Sequence, residues 1–163
     1  MKNSVSKKIF FDFLKSHKEA TLASVSSAGS PQAATVYYGI DSKFNLYVIT
    51  GSLSRKFKNI TKNPKVALVV TDVKKLVTIQ IEGKATLVRR SKKTKTIVQT
   101  LATSLSPGLW DTVKSIFDPV PPVIKMENGQ LVILKIDIRW MRWADFSLSL
   151  KDTKGHYFVE LKI

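Results

Sequence analysis

Three runs of strand-forming residues follow one another so closely that the connections between them restrict the topology. Ala20 to Ser26, Gln32 to Ile40 and Phe44 to Thr50 are separated by Ser27-Ala28-Gly29-Ser30-Pro31 and by Asp41-Ser42-Lys43. Short turns of this kind join antiparallel neighbours, so the three runs read as a meander. Gly29 can take positive φ in the first turn, where serine and proline add further turn chemistry.

The rest of the chain continues the pattern. Val66 to Thr71 is a short apolar run of the kind that forms a buried strand. Leu76 to Val88 is a longer strand, with Val77, Ile79 and Ile81 on one face and Thr78, Gln80 and Glu82 on the other. Gly83 breaks that alternation and marks a bulge or a tight bend. Gln130 to Ile138 and His156 to Ile163 supply the closing strands.

Helical spacing is expected at about 4–18, with Ile9, Phe10, Phe13 and Leu14 as the apolar stripe, and at 53–62, with Leu53, Phe57 and Ile60 on one face. Asn63-Pro64 ends the second helix, because the residue before proline is steered away from helical geometry. A third helix is expected at about 92–105 and a fourth at 109–117, before the stiff stretch Asp118 to Pro122. Many short antiparallel strands with few helices define the class: mainly β (α+β), a small barrel with helical additions.

At 163 residues the chain fits one domain, 1–163, with a single core. No apolar run approaches the roughly 18 residues that span a bilayer, and no secretory leader is apparent, so the expected location is the cytoplasm. The absence of cysteine excludes thiol catalysis and thiolate metal sites. His17 and His156 stand far apart, without carboxylates at metal-ligand spacing. No pair among the 12 carboxylates stands out as an acid–base couple.

The formal charge of +15 favours polyanions: nucleic acid, acidic membranes or phosphorylated ligands. Its distribution counts against nucleic acid. The cations fall in short clusters, such as Lys74-Lys75 and Arg89-Arg90-Lys92-Lys93-Lys95, without the interleaved aromatics of a stacking platform.

A sharper signal lies where Leu46-Tyr47-Val48-Ile49-Thr50 runs through Gly51-Ser52-Leu53-Ser54 into a helix that opens on Arg55-Lys56. A helix N-terminus offers unpaired N–H groups and a partial positive charge. Thr50, Ser52 and Ser54 add hydroxyls, and Arg55 and Lys56 add full charges, which together suit a phosphate. The competing reading of the two cations is a solvated helix face.

In order and spacing, these segments resemble the pyridoxamine-5′-phosphate-oxidase-like, FMN-binding split β-barrel superfamily. The resemblance rests on Ala20 to Val25, Gly29-Ser30-Pro31-Gln32, Ala34 to Tyr38, Leu46 to Thr50, Ser54-Arg55-Lys56, Asn63-Pro64-Lys65-Val66 and Glu82-Gly83-Lys84-Ala85. It covers about residues 19–90. It implies an antiparallel split β-barrel with flanking helices and a homodimer holding FMN between subunits.

By the same resemblance, Ser54, Arg55 and Lys56 hold the flavin phosphate with Ile49 and Thr50 close by, and Thr35, Val36, Tyr37 and Tyr38 run along the ring. The partner chain would contribute Thr78 or Gln80, and a late tryptophan, Trp140 or Trp143. Two departures stand out. Arg139-Trp140-Met141-Arg142-Trp143 has no histidine beside it, against vitamin B6 oxidation, and 106–129 is longer than a minimal barrel needs.

The expected function is therefore an FMN-dependent oxidoreductase acting on a small organic substrate, with the redox chemistry belonging to the cofactor. The alternatives are a deazaflavin- or haem-binding protein on the same barrel, and a non-enzymatic nucleic-acid-binding module.

Overall fold

The computed structural model describes residues 6–89, 94–102, 125–126, 129–149 and 158–163. In chain order the elements are α1 (Lys7–Ser16), β1 (Glu19–Val25), β2 (Pro31–Ile40), β3 (Asn45–Gly51), α2 (Arg55–Lys62), β4 (Lys65–Asp72) and β5 (Val77–Leu87). They continue with α3 (Thr94–Ala102), β6 (Lys125–Met126), β7 (Gly129–Asp145), α4 (Phe146–Ser149) and β8 (Phe158–Lys162). The helix expected at 109–117 lies outside the described residues, as does most of 106–129.

Six strands close on themselves in the order β3-β2-β1-β4-β5-β7, and β7 pairs back onto β3. Every pairing is antiparallel. The result is the small barrel with helical additions expected from the strand pattern, and the antiparallel split barrel with flanking helices that the resemblance implies. Closure leaves these six strands no free edge, which removes the main aggregation hazard of a small sheet.

Alternation decides what fills the barrel. Leu22, Val36, Tyr38, Leu46, Val48, Leu68, Ile79, Ile81, Leu134, Ile136 and Met141 point inward and are buried. Helix α1 packs against this core with Phe10, Phe13 and Leu14. Ile9, expected on the same stripe, is instead 44% exposed, and Phe11 packs against the core in part. Helix α3 lies on the outside, where Leu101 joins Tyr47 and Ile133 in a second apolar cluster. It approaches β2 at Gly39, where a Cβ would meet the Thr100 carbonyl oxygen at 2.6 Å.

The longest strand departs from expectation. β7 was expected to stop at Ile138 but runs to Asp145. Its register with β5 slips at Glu82/Gly83: Glu82 faces Trp140, and Gly83 faces Ile138. Arg139 is the extra residue, so the bulge that Gly83 signalled lies in β7 opposite it. Gly83 is required there, because a Cβ would stand 2.7 Å from the Asp137 carbonyl oxygen. Beyond the bulge the inward positions are Met141 and Trp143. Trp143 meets Phe10 and Phe13 of α1 edge-on, at 5.9 and 5.2 Å between ring centroids.

Candidate cofactor site

Helix α2 begins where β3 ends, and the turn between them is held by its own hydroxyls. Ser54 caps the helix, its Oγ accepting the Phe57 N–H at 3.3 Å. Thr50 Oγ1 lies 3.1 Å from the same oxygen. Ser54 is thus committed to the helix terminus, and Thr50, 6% exposed, braces the cap from within. Leu53 was expected on the helix's apolar face but precedes the helix and is 57% exposed. Phe57 and Ile60 carry that face instead, packing against the barrel core.

The helix is tied to the barrel by a polar contact. Asn59 is buried, and its side-chain nitrogen donates to Ser24 Oγ of β1 and to Gln32 Oε1 of β2, both at 3.1 Å. Ser24 and Gln32 are cross-strand partners, so one amide clamps two strands. This fixes where the first turn of α2 stands. Asn59 was not among the expected site residues. Its one sequence signal is its place beside Ile60, one turn beyond Arg55.

Arg55 and Lys56 border a cleft of about 160 Å³ whose other lining residues are Leu22, Ser24, Gln32, Ala33 and Ala34. No carboxylate among the described residues lines it. Among the described residues neither cation is in an ion pair. Two uncompensated cations beside small and amide side chains form a donor set that matches an oxyanion such as a phosphate.

The other expected residues divide between two places. On β2, Thr35 and Tyr37 face outward, Tyr37 being 43% exposed, while Val36 and Tyr38 are buried. The Tyr38 hydroxyl donates to the Leu14 carbonyl at 2.7 Å, and burial raises its pKa far above the ordinary tyrosine value. Its side chain therefore serves the core and reaches no ligand outside the barrel. Ile49 packs against the α3 cluster.

Thr78 and Gln80 lie on the outer face of β5, where Arg142 of β7 faces Gln80 and Trp140 faces the next outward residue, Glu82. There Arg142 donates twice to Gln80 Oε1, from Nε at 3.1 Å and from Nη2 at 2.6 Å. Its guanidinium also stands 5.6 Å from the Trp140 ring and 4.9 Å from that of Phe158. The register runs from Thr35 to Thr21, then Val69, then Gln80. Three strand spacings, roughly 14 Å along the sheet, therefore part the two groups within one chain. Trp143, turned toward α1, belongs to neither.

Comparison with known proteins agrees with this architecture. The sequence pattern of the pyridoxamine 5′-phosphate oxidase family matches residues 7–142, most of the chain. The chain belongs to the pyridoxamine 5′-phosphate oxidase family. A 5a,11a-dehydrotetracycline/5a,11a-dehydrooxytetracycline reductase from Streptomyces rimosus is 39% identical over 64 residues, 37% of this chain and 45% of the reductase. The chain thus spans less than half the length of the curated relative it matches.

Solved structures share the fold at lower identity. A pyridoxamine 5′-phosphate oxidase-related, FMN-binding protein from Nostoc punctiforme superposes with TM-score 0.63 at 15% identity, covering 100% of this chain and 99% of that one. A haem storage protein from Vibrio cholerae gives 0.63 at 13% identity, covering 82% and 89%. Both solved structures share this chain's fold, although one is named as FMN-binding and the other as a haem storage protein.

Proposed function

We propose that this chain is an FMN-binding oxidoreductase that works as a homodimer on a small organic molecule. The observation that carries the reading is the pair Arg55 and Lys56 at the mouth of a cleft: among the described residues the two are uncompensated and no carboxylate lines the cleft. Arg55 and Lys56 would bind the phosphate of FMN by charge and hydrogen bonding. Asn59, through Ser24 and Gln32, would hold that helix end in place. The outward face of β2, with Thr35 and Tyr37, would carry the ring along its edge. FMN, when bound, supplies hydride or electron transfer, which the protein's own side chains do not.

The separation of Thr35 from Gln80 supports the dimer. Gln80 stands three strands from Thr35 within one chain, with Thr78 on the same face, so a second copy would bring them to the flavin from the other side. A protein of this design needs no nucleophile or acid–base dyad of its own. Its residues bind, orient and shield.

Haem is the competing ligand. The one histidine among the described residues, His17, is engaged: Nδ1 lies 2.7 Å from the Phe13 carbonyl oxygen, and Nε2 lies 3.4 Å from Asp72. That leaves no open imidazole among the described residues for an iron.

Thermal unfolding with added ligands separates the readings. FMN at about 100 times its dissociation constant stabilises by about 2.7 kcal/mol, roughly 5–10 °C for a chain this size. We expect that shift with FMN and not with haemin. A shift with haemin accompanied by an intense haem absorption band, and none with FMN, overturns the proposal in favour of haem. A shift with a deazaflavin alone replaces FMN with that cofactor.

A further inference from the structure

A second cationic groove lies on the outer face of the barrel and shares only Ser24 with the lining of the cleft at the α2 terminus. It encloses about 430 Å³ and is lined by Ala23, Val25 and Ala67 on its floor, with Lys65, Lys84, Arg139 and Glu82 among its remaining residues. Arg55 and Lys56 take no part in it.

The arrangement of charge is unfavourable for folding alone. Lys65 and Lys84 are direct cross-strand partners on β4 and β5. Side chains so paired stand about 4.5–5.5 Å apart at Cβ, and like charges there are destabilising. Arg139 adds a third cation, delivered by the β7 bulge, which makes it the extra residue opposite Gly83. The carboxylate facing Lys84 across the β5–β7 ladder, Asp137, is paired instead with Lys135 at 2.5 Å. Among the described residues Lys65, Lys84 and Arg139 are in no ion pair. Glu82 supplies one negative charge against three positive ones.

We infer that this groove is an oxyanion site for a small dianion, a phosphate monoester or a dicarboxylate. Two net positive charges on walls with a floor of small side chains match such a group in sign and leave room for what it is attached to. Arg139 supplies planar, bidentate recognition, and the two lysines supply point charges. The inference goes beyond the proposed function and holds whether or not the cofactor is FMN.

Calorimetric titration of the protein, with FMN present in excess, using inorganic phosphate and then succinate, tests it. We expect saturable binding of at least one probe. Lys65→Ala/Lys84→Ala should weaken it at least tenfold while raising the melting temperature of the probe-free protein, because the like-charge pair is gone. Arg139→Lys should weaken it by a smaller factor, through loss of the bidentate fork. Arg55→Ala/Lys56→Ala should leave it unchanged, which separates this site from the one at α2 and shows it intact even if the flavin reading fails.

Phosphate binding that weakens equally in Lys58→Ala/Lys62→Ala reports general surface charge and overturns the inference. So does the absence of saturable binding by either probe. Displacement of phosphate by duplex DNA, with duplex binding lost in Lys65→Ala/Lys84→Ala, overturns it in favour of a nucleic-acid surface.

Discussion

The Asn59 side-chain nitrogen donates to Ser24 Oγ at 3.1 Å, joining α2 to β1 across 35 residues of sequence. Both side chains are buried, and the same nitrogen reaches Gln32. Asn59→Ala leaves the Ser24 hydroxyl and the Gln32 amide oxygen without that donor, at about 1–3 kcal/mol. We predict this loss in chemical denaturation. We also predict weaker FMN binding, although Asn59 does not line the cleft, because the helix end that carries Arg55 loses its anchor. Unchanged stability would show that the clamp is idle.

Gly83 gives a prediction of a different kind. A Cβ at this position would stand 2.7 Å from the Asp137 carbonyl oxygen and 2.9 Å from Ile136 Cγ2. The first obstacle is backbone and cannot swing away. Gly83→Ala should therefore cost about 1–3 kcal/mol, as overpacking does. A melting temperature equal to that of the wild type would mean that β5 and β7 are not so closely apposed.

Stability should plateau between an acidic and an alkaline limb, to each of which one of two contacting residues contributes. Burial pushes the Asp41 carboxyl up, but hydrogen bonds from the Asn45 side chain and N–H, the Tyr47 hydroxyl and the Lys43 N–H together bring it below its ordinary 3.8. Burial raises Tyr47, and the negative charge of Asp41, the hydrogen bond to it and the charge of Asp137 add to that, reaching about 12. The Asp41 contribution is full above its unfolded value and is lost as pH falls through the folded one. The Tyr47 contribution is full below pH 10 and is lost as pH rises toward 12. Measured as midpoint denaturant concentration against pH, the alkaline limb should become shallower in Tyr47→Phe without being abolished, because buried Tyr38 is raised as well.

A dimer with shared sites makes subunit mixing informative. Gln80→Ala and Arg55→Ala/Lys56→Ala should each weaken FMN binding when pure. Mixed and refolded together, they should regain a fraction of full-affinity sites, since one subunit pair then carries both intact halves. Purely additive behaviour of the mixture would place each site within one chain.

Much of this architecture could be read from the sequence, for a definite reason. Inward and outward residues alternate along β5, and Val77, Ile79 and Ile81 are buried as that pattern requires. The pattern failed where geometry broke the period. At the β7 bulge, Arg139 and Trp140 fall consecutively outside the inward series, so the strand looked finished at Ile138, and Trp143 could not be told from Trp140. Arg55 and Lys56 stood out because paired charges after a hydroxyl-rich turn are unusual. Ser24, Gln32 and Asn59 did not, because their meaning comes from contacts 27 to 35 residues away. Tyr37 and Tyr38 are neighbours on one strand and so face opposite ways, but only the register with β1 and the bond to Leu14 assign them.

The central claim is that Arg55 and Lys56 hold the phosphate of FMN, and equilibrium titration monitored by flavin fluorescence measures it directly. We predict saturable binding to the wild type and a roughly 10- to 100-fold loss for each of Arg55→Ala and Lys56→Ala, from about 1.5–3 kcal/mol per hydrogen bond to a charged group. Riboflavin, which lacks the phosphate, should bind wild type and variants alike. Equal FMN affinity in the wild type and the Arg55→Ala/Lys56→Ala protein, with both folded, would contradict it.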